Sequence, residues 1–71
     1  MVFPNVRNLR EDHDFRQREV AAVLSVSPNT YSQYETGVIE LTAGNLIKLA
    51  ELYDVSVDYL LGRTDNPAVN R

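Results

Sequence analysis

The feature that most constrains this chain is a three-residue link, Ser25-Val26-Ser27, between two stretches that both read as short helices. Before it, from Arg16 to Leu24, Val20, Ala21, Val23 and Leu24 fall on or near one helical face. After it, Ser27-Pro28 is a strong helix start. The serine hydroxyl caps orphan amides, and proline suits the first helical position because its missing N–H would be unpaired anyway. This third helix runs from Pro28 to Thr36, and Gly37 ends it. So short a link forces the two helices to cross steeply, which needs a small residue where they meet. Ala21 supplies that residue, and Val26 plugs the turn.

The rest of the chain supplies three more helices. Val6, Leu9, Arg10 and His13 follow helical spacing after Pro4, so a first helix is expected over roughly residues 5–12. Asp14 can take the left-handed conformation that ends it, and Phe15 re-enters the core. Val38 to Leu41 is a connection. Thr42 caps a fourth helix, Ala43 to Tyr53, with Leu46, Leu49, Ala50 and Tyr53 on one face. Asp54-Val55 turns the chain, Ser56 caps a fifth helix from Val57 to about Leu61, and Gly62 stops it. The expected architecture is all-α: a compact five-helix bundle containing a helix-turn-helix, residues 1–62, with residues 63–71 as a flexible C-terminal tail.

Composition narrows the function. With 71 residues and no cysteine, the domain must be held by packing alone, without disulfides or thiolate metal sites. No apolar run approaches the ~18 residues of a membrane span, and the start, MVFPNVRNLRED, carries no apolar segment of a signal peptide. The expectation is a soluble, cytoplasmic protein. The net charge of −3 argues against strong nonspecific binding to nucleic acid, which rests on Lys and Arg neutralising phosphates. Arg7, Arg10, Arg16 and Arg18 cluster early, yet residues 1–37 hold five acidic groups against these four.

On the third helix, Tyr31 and Tyr34 turn toward the core, while Asn29, Ser32, Gln33 and Thr36 form a short, polar, uncharged face. A solvated face usually carries Glu and Lys; amides and hydroxyls suit base edges. Periodicity alone weighs a merely wet face equally. Residues 17–37, QREVAAVLSVSPNTYSQYETG, followed by NLIKLAELYDVSVDYLLG, closely resemble the Cro/C1-type (XRE-like) helix-turn-helix family of phage repressors and small bacterial regulators. The resemblance covers roughly residues 6–62. It rests on Gln17, Val20-Ala21, Val26-Ser27, Tyr31-Ser32, Tyr34-Glu35, Gly37 and the Leu46 to Leu61 pattern.

The resemblance implies a transcriptional repressor that places its third helix in the major groove, usually as a homodimer on a near-palindromic operator of double-stranded DNA. Gln17 matches a glutamine that contacts phosphate from the start of the second helix. Pro28, Asn29, Ser32 and Gln33 fall on DNA-facing positions, and Arg16, Ser27 and Thr36 are assigned to the DNA backbone. Arg10 and Glu35 match an ion pair between the first and third helices. The chain departs from the pattern at Arg16, where a Ser or Thr cap is common, and at Pro28, which offers no donor. It departs again at Val38-Ile39-Glu40, where the family commonly holds basic residues.

Other chemistry is poorly supported. His13 has no second histidine or cysteine to share a metal. Glu11, Asp12 and Asp14 read as a solvated acidic run, and the four tyrosines as core or core edge, with Tyr59 the most exposed. No nucleophile–base constellation is present, so neither an enzyme nor a cofactor or metal is expected. The apolar Val38, Ile39 and Leu41, with Tyr59, are assigned to a dimer contact. A second reading keeps the fold but makes the domain a protein-interaction module for another regulator, consistent with its acidity and that apolar loop.

Overall fold

The computed structural model describes residues 1–69; the last two residues of the expected tail lie outside the described residues. Five helices follow one another: α1 (Pro4–Asp12), α2 (Gln17–Leu24), α3 (Pro28–Thr36), α4 (Ala43–Tyr53) and α5 (Val57–Leu60). No strand occurs among the described residues. None of the helices is long and apolar enough to cross a membrane.

The helix starts follow the caps read from the sequence. Ser27, Thr42 and Ser56 each accept a hydrogen bond from the amide three residues on, at 3.1, 3.1 and 3.0 Å. Pro4 opens α1 without a side-chain cap, one residue earlier than expected. Arg16 stands outside α2 as its N-cap residue rather than inside it. Its side chain has no acceptor to offer, so Glu19 supplies half of a capping box by accepting the Arg16 amide at 2.8 Å.

The helix ends share one device. A residue in the left-handed region follows each helix closely: Asp14, Ser25, Gly37, Asp54 and Gly62. The next amide then bonds back five residues, as from Phe15 to the Arg10 carbonyl, Val26 to Ala21 and Val55 to Ala50, each at 3.0 Å. This geometry normally folds the following apolar side chain onto the helix it ends. Phe15, Val26 and Val55 do so, whereas Val38, after Gly37, stays 70% exposed. Glycine at 37 is required twice over. Its φ is +81°, and a Cβ would stand 3.0 Å from Val2 Cγ2 and 3.1 Å from the Met1 carbonyl carbon.

These ends aim the helices into one core made of Val6, Leu9, Val20, Ala21, Leu24, Tyr31, Tyr34, Leu49, Ala50, Tyr53, Val55 and Leu60. Ala21 is fully buried and α2 packs against α3, in keeping with the small residue that the short link needs. Val23 departs from the expected face and is 45% exposed, because α2 turns it past Phe15 and Leu52 toward solvent. Leu49 and Leu60 are fully buried, each contributing ~1.5–3 kcal/mol of apolar burial. His13 stacks on Phe15 and leans on Tyr53, with ring centroids 5.9 and 5.0 Å away, a packing role at the end of α1. Asn5 Nδ2 donates to the Tyr59 carbonyl at 2.7 Å, tying α1 to α5. Past α5 there is no regular structure among the described residues, yet the Ser56 amide donates to the Pro67 carbonyl at 3.0 Å.

Candidate nucleic-acid interface

The interface is built around α3, which is fixed from beneath and at both ends. Tyr31 and Tyr34 root it in the core, Ser27 caps its start, and Gly37 closes its end. Three polar residues then stand outward without a side-chain hydrogen bond among the described residues: Asn29, Ser32 and Gln33. Asn29 is exposed, and Ser32 and Gln33 are half-buried at its flanks. Asn29 and Gln33 lie four apart and so sit one above the other on the same face. Pro28 is exposed beside them.

The residues assigned to the DNA backbone are less uniform than the sequence suggests. Arg16 and Arg18 are exposed and carry no ion pair among the described residues, so both cations remain available to an anion. The Ser27 hydroxyl already donates to Thr30 Oγ1 at 2.9 Å while accepting the Thr30 amide, which leaves it no proton for a phosphate. Thr36 Oγ1 donates to the Gln33 carbonyl at 3.3 Å. Gln17 is half-buried, and its Nε2 donates to Glu35 Oε1 at 3.1 Å. Sequence reasoning assigned Gln17 and Glu35 to separate roles; residues 18 apart in the chain carry no local signal of such contact.

Beneath this surface lies a charged knot. Arg10 Nε donates to Glu35 Oε2 at 2.7 Å and Nη2 to Oε1 at 3.2 Å, while Nη1 donates to the Phe15 carbonyl at 3.0 Å. The side chains are only 14% and 5% exposed. Burial alone would push the Glu35 carboxyl up. The hydrogen bonds from Arg10 and Gln17, the facing Tyr31 hydroxyl and the Arg10 charge outweigh burial and hold it below its ordinary value. The Tyr31 hydroxyl is buried facing this carboxylate, and burial together with the nearby negative charge pushes its own pKa up.

A carboxyl depressed in the folded state adds stability that is complete above its unfolded value and is lost as pH falls through the folded one. This contribution is therefore expected to be complete at neutral pH, to begin to fall below about pH 4.5, the ordinary glutamate value, and to be gone only below the depressed folded value. Urea unfolding midpoints of the parent should fall more steeply below that pH than those of Glu35→Gln. Parallel curves would show that Glu35 is not held down.

Around the helix ends, the apolar loop after α3 is exposed at Val38 and, at 38%, Ile39. Leu41 and Tyr59 are partly buried and pack against the core. Glu40 is paired with the Met1 amino group at 2.7 Å.

Comparison with known proteins agrees with this geometry. Residues 6–60 match the helix-turn-helix family. Over 67 residues the chain is 37% identical to the uncharacterised HTH-type transcriptional regulator YobD of Bacillus subtilis, covering 94% of this chain and 60% of that one. It is 35% identical over 60 residues to the HTH-type transcriptional regulator ImmR of the same organism, covering 84% and 47%. It is 34% identical over 65 residues to the cryptic phage CTXphi transcriptional repressor RstR of Vibrio cholerae, covering 92% and 59%. The chain thus spans roughly half the length of these relatives. No solved structure matches at the same stringency. The family match over α1 to α5, together with the packing of α2 on α3 across a three-residue link, shows that the chain belongs to the helix-turn-helix family.

Proposed function

We propose that this domain binds double-stranded DNA sequence-specifically, with α3 in the major groove, and acts as a transcriptional repressor in the cytoplasm. The observation that carries the reading is the pair of unengaged carboxamides, Asn29 and Gln33, one above the other on a rigidly rooted helix. Ser32 adds a hydroxyl, and Pro28 an apolar surface suited to a thymine methyl. Arg16, Arg18 and Gln17 face the backbone from the start of α2, where the helix dipole and free amides also favour an anion. Ser27 is left to approach a phosphate through its main-chain N–H, since its hydroxyl is spent on Thr30.

One recognition helix reads only about half a site, so the domain pairs two-fold on a near-palindromic operator. The exposed Val38 and Ile39, continued by the partly buried Leu41 and Tyr59, form the contact between copies. The outward position of Val38 supports this, because the same turn folds Phe15, Val26 and Val55 inward at other helix ends.

Titration of random-sequence duplex against salt tests the reading. Arg16 and Arg18 at the start of α2, neutralising one phosphate each, imply a log-linear loss of affinity with slope roughly −4 for a pair of protomers, at −0.9 per phosphate neutralised. Footprints at saturation should cover two half-sites about one helical turn apart. A single protected half-site contradicts the pairing. No binding at low salt favours the other function, a module that docks on another regulator.

A further inference from the structure

We infer that Glu35 is a positioning residue for DNA binding: its carboxylate fixes the carboxamide of Gln17 so that the amide N–H not used inside the protein faces the phosphate. The inference deepens the proposed DNA reading and rests on it.

Three observations place Glu35 in this role. Its carboxylate is nearly sealed, with the side chain 5% exposed, and Oε1 accepts both from Arg10 Nη2 at 3.2 Å and from Gln17 Nε2 at 3.1 Å. An ionised carboxylate accepts hydrogen bonds and cannot donate them. Only one of the two flip states of the Gln17 carboxamide is therefore compatible with it: Nε2 toward Glu35. The opposite flip would set the amide oxygen against a buried negative charge. One Nε2 proton is used on Glu35, and its twin remains for an anion outside. Arg10 completes the arrangement. It neutralises Glu35, which would otherwise repel a nearby phosphate, and its Nη1 grips the Phe15 carbonyl two residues before Gln17. The ion pair between α1 and α3 thus also sets the start of α2. Without Glu35 nothing holds the Gln17 amide, and its hydrogen bond to the phosphate is no longer enforced.

The test is a double-mutant cycle between Glu35→Gln and Gln17→Ala, read as affinity for a random-sequence duplex and corrected for the folded fraction by circular dichroism. Glutamine at 35 keeps an acceptor for Arg10 but no longer dictates which way Gln17 points. Alone, Glu35→Gln should weaken binding roughly 3- to 10-fold on all sequences alike, the range of one lost hydrogen bond. In the Gln17→Ala background it should change affinity by less than about 2-fold, since the group it positions is gone. A merely structural role gives the same loss in both backgrounds and overturns the assignment. A second measurement uses the unmutated chain without DNA. The Gln17 side-chain amide resonances, identified by their loss in Gln17→Ala, should shift as Glu35 is protonated in acid. Resonances that do not respond while Glu35 titrates overturn the assignment whether or not Glu35→Gln folds. Failure of the parent to bind any duplex overturns the DNA reading and this role with it, whereas binding with additive effects overturns this role alone.

Discussion

Glu35→Ala is expected to leave the domain largely unfolded at ~37 °C, because removing one partner of a buried ion pair costs roughly 3–5 kcal/mol against a total near 5 kcal/mol for a small domain. The cost is large here because Arg10 cannot relax into solvent. Its side chain is 14% exposed and is held from another side by the Phe15 carbonyl. Truncation at 35 strands that guanidinium beside the apolar core, removes the acceptor for Gln17, and leaves Tyr31 facing a void. The exposed Arg7–Glu11 pair is the contrasting case. Its side chains are 66% and 52% exposed, and pairs of that kind contribute little. Thermal melts of Glu35→Ala and Glu11→Ala should therefore separate widely. A Glu35→Ala melt that overlays the parent would show that the pair is not a structural support.

Gln33→Ala should relax preference at one base pair, while Gln17→Ala should weaken all sequences about equally. The difference follows from what each amide can reach. Gln33 and Asn29 point away from the core with both donor and acceptor unengaged, and a carboxamide matches the N6 donor and N7 acceptor of adenine in the major groove. Each good contact of that kind contributes ~1–3 kcal/mol of discrimination, so losing Gln33 flattens one A·T position by roughly 5- to 150-fold. Gln17 lies at the start of α2 and is tied to Glu35, and in the proposed docking it meets the sugar-phosphate chain. Phosphate contacts position the protein but carry no sequence information. Affinities of both variants for a selected site and its single-base changes decide the matter. An unchanged preference profile for Gln33→Ala, or a changed one for Gln17→Ala, would reverse the roles of reader and anchor.

The backbone plan was legible because this chain marks its helix ends chemically. Ser27-Pro28, Thr42 and Ser56 are local signals, and α3 and α4 begin and end at the residues those signals name. Gly37 was equally plain. Ser25 and Asp54 were readable as turns, but their left-handed backbone was not, since neither residue demands it. Val23 misled because periodicity reports a face and not the width of the partner that covers it. Of the interface, the outward set on α3 could be read from spacing, as Tyr31 and Tyr34 claim the other side. The state of each polar group could not. That the Ser27 proton goes to Thr30, and that Gln17 leans on Glu35, depends on how three helices meet. Tyr59 was expected to stand most exposed of the tyrosines and does so, half-buried where the other three are buried. The Arg10–Glu35 pair was available only through family resemblance, because a separation of 25 residues has no period to reveal it.

The central claim, that α3 reads duplex DNA, is tested most directly by selecting bound duplexes from a random library with the unmodified chain. An enriched near-palindrome is expected, with half-sites about one helical turn apart and specified chiefly at A·T pairs. A library that emerges without any enriched sequence after selection at low salt would contradict it.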